Sequence, residues 1–109
     1  MISISSPQEF DRSQVPINPG VYLFKDDKNQ ILYIGKAVNL RSRVRSYFTK
    51  RDQPVKTQHL VSRIRNIDWI IVDNEVEALL LENKLVKQHT PKYNIKIMLN
   101  HVDCVSFIH

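Results

Sequence analysis

The stretch that decides the fold lies at residues 19–36 and reads PGVYLFKDDKNQILYIGK. Two runs rich in β-branched and aromatic residues, Val21–Phe24 and Ile31–Ile34, flank the polar segment Asp26–Asn29. Such runs on either side of a loop-like segment predict a β-hairpin. The preceding Asn18-Pro19-Gly20 is a turn signal that begins the first strand, and the glycine after Ile34 ends the second.

The length of the hairpin loop decides whether Tyr22 and Tyr33 can act together, because successive side chains of a strand point to opposite faces. A loop with an even number of residues, such as the four from Asp26 to Asn29, makes the two tyrosines direct cross-strand partners on one face. An odd loop puts them on opposite faces. We predict that Tyr22 and Tyr33 share one face.

Two helices and a third strand are predicted after the hairpin. The first helix begins near Asn39, and its apolar residues recur at i, i+4, i+7 and i+8. These residues are Leu40, Val44, Tyr47 and Phe48. A second helix is expected roughly over Lys56–Arg65, and its inward-facing residues are Leu60, Val61 and Ile64. The third strand, Asp68–Val72, is apolar enough to be the central strand of the sheet.

A third helix is predicted to follow Asn74, whose side chain can cap it, with Glu77 three residues later as the capping-box partner. The helix ends at Thr90, because Pro91 disfavours helical geometry in the residue before it. The residues expected to face inward are Ala78, Leu79, Leu81, Leu85 and Val86.

The predicted order β-β-α-α-β-α indicates an α+β fold, in which a small, mostly antiparallel three-stranded sheet is flanked by helices. Residues 1–18 are expected to form an irregular or briefly helical lead-in, and residues 19–96 the folded domain. The chain from Tyr93 onward is apolar and β-leaning, and residues 97–109 are assigned as a C-terminal tail.

The composition predicts an ordinary globular domain, since 42% of the 109 residues are hydrophobic and 25% are charged. Cys104 is the one cysteine, and the four histidines lack metal-ligand spacing. Residues 1–18 lack a signal-peptide pattern. No apolar stretch approaches the roughly 20 residues that span a bilayer. We therefore expect a cytoplasmic protein that has no contact with a membrane.

The net charge of +5 is concentrated in one part of the chain. Residues 36–65 contain nine basic residues and one acid, Asp52, and so carry a net charge of +8. A basic band of this kind is typical of a surface that binds a phosphate backbone. The expected partner is DNA, with contacts from Lys36, Arg41, Arg43, Arg45, Lys50, Arg51, Lys56 and Arg63.

A set of motifs occurs together in one order along the chain. It comprises Pro19-Gly20-Val21-Tyr22, Tyr33-Ile34-Gly35-Lys36, Arg43, Tyr47, Glu82 and Asn94. This arrangement resembles the GIY-YIG nuclease family, and residues 32–37, 43–48 and 91–94 are similar to its UvrC branch. The resemblance spans Pro19 to about Ile95. It implies hydrolysis of a DNA phosphodiester with one divalent metal ion, Mg²⁺ or Mn²⁺, and incision on the 3′ side of a lesion in nucleotide excision repair.

The resemblance also implies roles for the motif residues. Tyr33 would be the general base that takes a proton from the attacking water, with Tyr22 holding it or the water. An unperturbed tyrosine has a pKa of about 10, so nearby positive charge from Lys36 and the metal is expected to favour the phenolate. Glu82 would bind the metal, because a carboxylate oxygen is a hard ligand suited to Mg²⁺.

The remaining motif residues are expected to hold the phosphate. Arg43 has a planar guanidinium that matches two phosphate oxygens and would clamp the scissile phosphate. Tyr47, one turn later, would donate to the same phosphate, and Asn94 would orient the phosphate or Glu82 through its amide.

Two alternatives to this interpretation stay open. The first is a non-catalytic DNA-binding or assembly module with the same fold. The second is a stand-alone GIY-YIG nuclease that acts on branched or foreign DNA. UvrC-like proteins usually continue past Pro91–Asn94 with a lysine- and aspartate-rich stretch, where this chain diverges. We therefore expect the nuclease module alone, without a second nuclease half or tandem helix-hairpin-helix module, acting beside other excision-repair proteins if it belongs to such a system.

Overall fold

The fold comes from a computed structural model that describes residues 2–49 and 51–94. The strands are β1 (Ile2–Ser3), β2 (Gly20–Lys25), β3 (Ile31–Ala37) and β4 (Asn66–Ile71), and the helices are α1 (Leu40–Thr49), α2 (Val55–Arg63) and α3 (Glu75–His89). Two short 3₁₀ helices, Pro7–Glu9 and Arg12–Gln14, precede β2. The predicted α+β class and the order of the main elements are confirmed.

The sheet has four antiparallel strands in the order β1-β4-β2-β3, not the three that were predicted. The additional strand is β1, which pairs Ile2 with Ile67 at the edge of β4. Two residues in a polar lead-in carry no periodic signal, so the strand could not be found from the sequence. The segment before residue 19 therefore contributes one short strand to the sheet.

The central strand of the hairpin region is β2, because it pairs with β3 on one side and with β4 on the other. The third predicted strand is β4, and it is the other interior strand, because it lies between β1 and β2. It ends in Ile70 and Ile71, which are 41% and 50% exposed.

The hairpin register brings Tyr22 and Tyr33 to one face by a route that differs from the prediction. Lys25 pairs with Ile31, which leaves an odd loop of five residues, but a bulge between Phe24 and Lys25 shifts the register by one. Tyr22 therefore pairs with Gly35, and Phe24 pairs with Tyr33. The shared face is confirmed, but the two tyrosines are diagonal neighbours and not direct partners.

One face of the sheet packs against α1 and α2. Phe24 and Ile67 from the sheet meet Leu40 and Val44 of α1 and Leu60 of α2, and all five are fully buried. The predicted apolar stripe of α1 is confirmed, since Tyr47 is also buried and Phe48 stacks on Phe10 with ring centroids 4.4 Å apart. Helix α2 begins and ends slightly earlier than predicted.

The other face of the sheet packs against α3. Val21, Leu23 and Ile34 are buried there, and Leu81 and Leu85 of the helix cover them. Val86 also packs on this cluster, as predicted, and Ala78 is fully buried. Leu79 was expected to face inward and is 42% exposed, because it lies about 100° around the helix from Ala78.

The ends of α3 follow the predicted signals. The Asn74 side chain accepts a hydrogen bond from the backbone N–H of Glu77 at 2.9 Å, and the Glu77 carboxylate accepts one from the N–H of Asp73. Thr90 ends the helix in the left-handed region, with φ of 41°.

Residues 92–94 are helical, unlike the β-leaning structure expected from Tyr93 onward, and the tail at 97–109 lies outside the described residues. None of the described helices is both long and apolar enough to cross a membrane.

Candidate active site

A cleft of about 530 Å³ lies beside the edge strand β3, and its walls come from β3, α1 and α3. Because β3 is an edge strand, α1 on one face of the sheet and α3 on the other both contribute residues to this cleft. The lining residues that were predicted to be catalytic are Tyr22, Tyr33, Lys36, Arg43 and Glu82. The structure therefore brings five of the seven predicted catalytic residues together.

Gly35 lets the Tyr22 ring reach the cleft. The two residues are cross-strand partners, and a Cβ atom added to Gly35 would collide with the hydroxyl and the adjoining ring carbon of Tyr22. The tyrosine therefore lies across the backbone of its partner strand. Only glycine allows this close approach, which explains in physical terms why a glycine follows Tyr33-Ile34.

Three tyrosines, Tyr22, Tyr33 and Tyr47, form a cluster at the cleft, and the first two of them line it. The hydroxyls of Tyr22 and Tyr47 are 2.8 Å apart and share a hydrogen bond. The rings of Tyr22 and Tyr33 lie 6.2 Å apart, and those of Tyr33 and Tyr47 lie 6.3 Å apart. Tyr47 is buried and is not among the residues that line the cleft. Its hydroxyl bonds to that of Tyr22, and its expected donation to the phosphate stays a prediction.

Burial keeps the tyrosines protonated in the free protein. Burial raises the pKa of the Tyr33 hydroxyl well above its ordinary value, and neighbouring Tyr47 and Glu82 raise it further. The pKa of Tyr22 is raised for the same principal reason. Arg43 is a cation that lowers the pKa of Tyr33, and the expectation that Lys36 and the metal favour the phenolate stays a prediction.

Arg43 lies at the mouth of the cleft on α1. Its guanidinium carbon is 5.3 Å from the centre of the Tyr47 ring, a distance at which a cation is attracted to the aromatic face. Tyr47 therefore supports two residues of the site at once, Tyr22 through its hydroxyl and Arg43 through its ring. Arg43 is exposed as a residue and its side chain lines the cleft, where it also hydrogen-bonds with Tyr22.

Glu82 is the half-buried carboxylate of the cleft, and it lies on the buried side of α3 one turn after Ala78. Burial raises the pKa of Glu82, and the positive charge and backbone N–H of Lys36 oppose that rise. A second acid, Glu75, also lines the cleft from the first turn of α3. The sequence reasoning missed it because Glu75 belongs to none of the motifs; its i, i+7 spacing to Glu82 was the available signal.

The donor set fits a metal ion that keeps most of its water ligands. Within residues 2–49 and 51–94, no group of three or more acidic, histidine or cysteine side chains could enclose a metal ion. Mg²⁺ binds readily to one or two carboxylates with several waters, and the cleft has room for them. Glu82 is the residue that could hold such an ion.

Asn94 makes a different contact from the one expected. Its side-chain oxygen accepts a hydrogen bond from the N–H of Ile34, and its amide nitrogen donates to the carbonyl of Ile34, both at 2.8 Å. Asn94 does not line the cleft. With both amide atoms bonded to the Ile34 backbone, it holds β3 in place. Its expected role in orienting the phosphate or Glu82 stays a prediction.

The predicted DNA-binding residues separate into groups. Lys36 and Arg43 line the cleft, and Arg45 and Arg51 are exposed elsewhere. Arg41 is engaged by the lead-in, because its Nε donates to the Val15 carbonyl at 2.7 Å. The other members of the predicted set are Arg63, which pairs with the buried Asp26 at 3.8 Å, Lys56, which is half-buried, and Lys50, which lies outside the described residues.

Several polar residues of the cleft were missed by the sequence reasoning. Ser42 and Ser46 line it from the same helix as Arg43, and Asn39 lines it from the preceding loop. Asn39 caps α1 by accepting a hydrogen bond from the N–H of Ser42 at 3.0 Å. Position on the helix face next to Arg43 was the only available signal for the two serines.

Comparisons with known proteins match this architecture. A family model for the UvrC-like GIY-YIG domain matches residues 18–95. UvrABC system protein C from Methanosarcina acetivorans is 54% identical over 85 residues, which is 78% of this chain and 16% of that protein. The protein of the same name from Methanococcus maripaludis is 49% identical over the same shares. The chain thus spans about a sixth of the length of these curated relatives.

A solved structure shows the same fold. The GIY-YIG N-terminal endonuclease domain of UvrC from Thermotoga maritima, bound to its catalytic divalent cation, magnesium, is 40% identical to this chain. The two superpose with a TM-score of 0.66, over 72% of this chain and 85% of that one.

Proposed function

The chain belongs to the UvrC-like GIY-YIG domain family, and on that premise we propose that it is the metal-dependent module that cuts one DNA strand on the 3′ side of a lesion in nucleotide excision repair. The observation that carries the proposal is the convergence of Tyr22, Tyr33, Lys36, Arg43 and Glu82 on one cleft. The names of the relatives support partners from the UvrABC system. The domain assignment, with the nuclease module over residues 19–96, is part of the same proposal.

Glu82 would hold one Mg²⁺ or Mn²⁺ ion, which would supply positive charge to the leaving oxygen. The negative charge of Glu82 raises the pKa of Tyr33, and a bound cation would offset that charge and so favour the phenolate. Cutting a phosphodiester needs an activated water in line with the leaving oxygen, together with positive charge on the phosphate as negative charge develops there. The cleft residues of this chain can supply both.

Arg43 is placed to bind the scissile phosphate. Its guanidinium can donate two parallel hydrogen bonds to phosphate oxygens, and the Tyr47 ring supports its position. Because Arg43 also lowers the pKa of Tyr33, the same cation favours both the bound phosphate and the base.

Tyr33 is placed to take the proton from the attacking water. Tyr33 is one of the residues that line the cleft, whereas Tyr47 is buried and does not line it. Tyr22 and Tyr47 hold each other by the 2.8 Å hydrogen bond and so fix the wall against which Tyr33 lies. In this assignment Tyr33, Arg43 and Glu82 are catalytic, while Tyr47 and Asn94 are positioning residues.

A comparison of two arginines tests whether the module is an enzyme or only a DNA-binding module. Arg43→Ala removes a donor that matters most when charge builds on the phosphate, so the cutting rate should fall on the order of 10²–10³-fold. The matched control is Arg45→Ala on the other flank of α1, which should weaken binding modestly and leave the single-turnover rate of bound DNA unchanged. Arg41 cannot serve as the control, because it bonds to Val15.

The measurement is single-turnover cutting of an end-labelled duplex that carries one bulky lesion, with affinities measured beside it. The position of the cut also tests the 3′ assignment. If the two variants lose rate and affinity in equal proportion, Arg43 is a general backbone contact and does not clamp the scissile phosphate. No cutting by the wild-type chain in Mg²⁺ or Mn²⁺ would instead favour the non-catalytic alternative.

A further inference from the structure

A second groove lies beside the cleft, on the neighbouring flank of α1. It encloses about 450 Å³ and is lined by Phe10, Asp11, Arg12, Arg45 and Thr49. The lead-in forms one wall and α1 forms the other. None of these residues belongs to the catalytic set, and only Arg45 was expected to contact DNA.

Phe10 supplies an aromatic wall to this groove and is held rigidly. Its ring stacks on Phe48 with centroids 4.4 Å apart and an interplanar angle of 12°. Phe10 remains half-exposed because the groove leaves part of the ring uncovered. A partly exposed ring supported from behind is the kind of platform on which proteins stack unpaired nucleobases.

The charges around the groove suit a nucleotide. Arg12 and Arg45 contribute two cations, against one acid, Asp11. The Asp11 carboxylate is already engaged, since it accepts hydrogen bonds from the N–H of Ser13 at 3.0 Å and from its hydroxyl at 2.7 Å. Arg45 is exposed and so available to a phosphate beside the stacked base.

The groove and the cleft are joined by a narrow polar ridge. Arg43, Ser42 and Ser46 face the cleft, and Arg45 and Thr49 face the groove, so α1 alone separates the two. Ser42 and Arg45 are three residues apart, as are Ser46 and Thr49. Residues at this spacing are neighbours on a helix surface, with Cβ atoms about 5–6 Å apart, so a DNA strand bound in the cleft can continue into the groove.

We propose that the groove between Phe10 and Arg45 binds an unpaired nucleotide of the cut strand, near the scissile phosphate, by stacking its base on Phe10. The inference rests on the proposed action on DNA and extends it. It assigns to the module a preference for DNA that is locally unpaired beside the cut, which the cleft residues do not by themselves provide.

The test measures binding without cutting, with the full chain and EDTA in the buffer. The probes are a fluorescein-labelled duplex with a short unpaired stretch in one strand, the fully paired duplex, and the unpaired probe with abasic sites in place of its unpaired nucleotides. The wild-type chain should bind the unpaired probe more tightly than the other two. Phe10→Leu, which keeps an apolar side chain against Phe48, should bind the unpaired probe about five- to tenfold more weakly.

Two controls separate stacking from charge and from folding. Phe10→Tyr keeps the aromatic ring and should bind the unpaired probe like the wild type. Arg45→Gln should weaken binding to all three probes and lower the salt slope by about one. If Phe10→Leu fails to fold, the abasic probe still tests stacking with the wild-type chain.

Equal wild-type affinities for the unpaired and abasic probes would overturn the inference, as would a loss in Phe10→Leu that is the same for every probe. If the chain cuts DNA in Mg²⁺ but binds the three probes equally in EDTA, the proposed function stands and only the inference about the groove is refuted. Failure to bind any of the probes would remove both.

Discussion

Gly35 and Tyr22 determine the shape of the site at the residue scale. The missing side chain of one allows the ring of the other to cross β3, and the Tyr22 hydroxyl then meets Tyr47. The sequence predicted that both motif tyrosines share a face. It could not predict that Tyr47 lies behind them, because the depth of a side chain at the edge of a helical stripe depends on the packing partner.

The protonation of Glu82 should depend on Lys36. Burial raises the pKa of Glu82 and the Lys36 charge lowers it, so Lys36→Met should raise the pKa further. Carbon-13 NMR titration of the metal-free domain measures this directly. Lys25→Met is the control, because Lys25 pairs with Asp68 and should leave Glu82 unchanged.

The sign of this shift has a consequence for metal binding. A proton competes with the cation for the Glu82 carboxylate, so affinity should fall as the pH drops through the raised pKa. In Lys36→Met this fall should occur at a higher pH than in the wild type. A Glu82 pKa that falls or does not change in Lys36→Met would contradict the contact between the two residues.

At the scale of elements, Asn94 links the end of α3 to the edge of β3. It makes two hydrogen bonds with the Ile34 backbone, each contributing about 0.5–1.5 kcal/mol. Asn94→Ala should therefore lower the free energy of unfolding by about 1–3 kcal/mol and speed exchange of the Ile34 amide hydrogen. Denaturant unfolding and hydrogen exchange measure the two effects.

Two matched variants sharpen this prediction. Asn94→Asp keeps the acceptor for the Ile34 N–H but places a carboxylate oxygen against the Ile34 carbonyl, so its loss should be at least as large. Gln88→Ala changes an exposed residue of α3 and should alter the stability by less than about 0.5 kcal/mol. Unchanged protection of the Ile34 amide in Asn94→Ala would show that the side chain does not hold β3.

The elements themselves were predictable to different degrees. Helix α3 follows its signals at both ends, since Asn74 caps it and Thr90 ends it before Pro91. The hairpin was predictable as an element but its register was not, because the bulge at Phe24 depends on packing and carries no local sequence signal. Strand β1 was not predictable, since it forms only through its partner β4.

At the scale of the whole molecule, the basic band is smaller as a DNA surface than its composition suggests. Among the band's residues at 36–49 and 51–65, Lys36 and Arg43 line the cleft and Arg45 and Arg51 are exposed. By contrast, Arg41 bonds to backbone and Arg63 pairs with Asp26. Net charge along the sequence cannot distinguish a cation that faces DNA from one that holds a loop.

The salt dependence of duplex binding should reflect this smaller set. Four phosphate contacts at about 0.9 each predict a slope of about −3.5 for the logarithm of the binding constant against that of salt concentration. Arg63→Ala should leave the slope unchanged, because that residue is engaged at the hairpin loop. A slope near zero would mean that the band is a solvated surface.

The measurement that tests the central claim most directly is nicking of supercoiled plasmid DNA in Mg²⁺ or Mn²⁺ by the wild-type chain and by Glu82→Gln. The exposed Glu9→Gln serves as the matched control for the loss of one carboxylate. If Glu82 holds the metal of an endonuclease, the wild type and Glu9→Gln nick the plasmid, while Glu82→Gln and EDTA-treated samples stay at background with the fold intact. Nicking by Glu82→Gln at the wild-type rate would contradict the account.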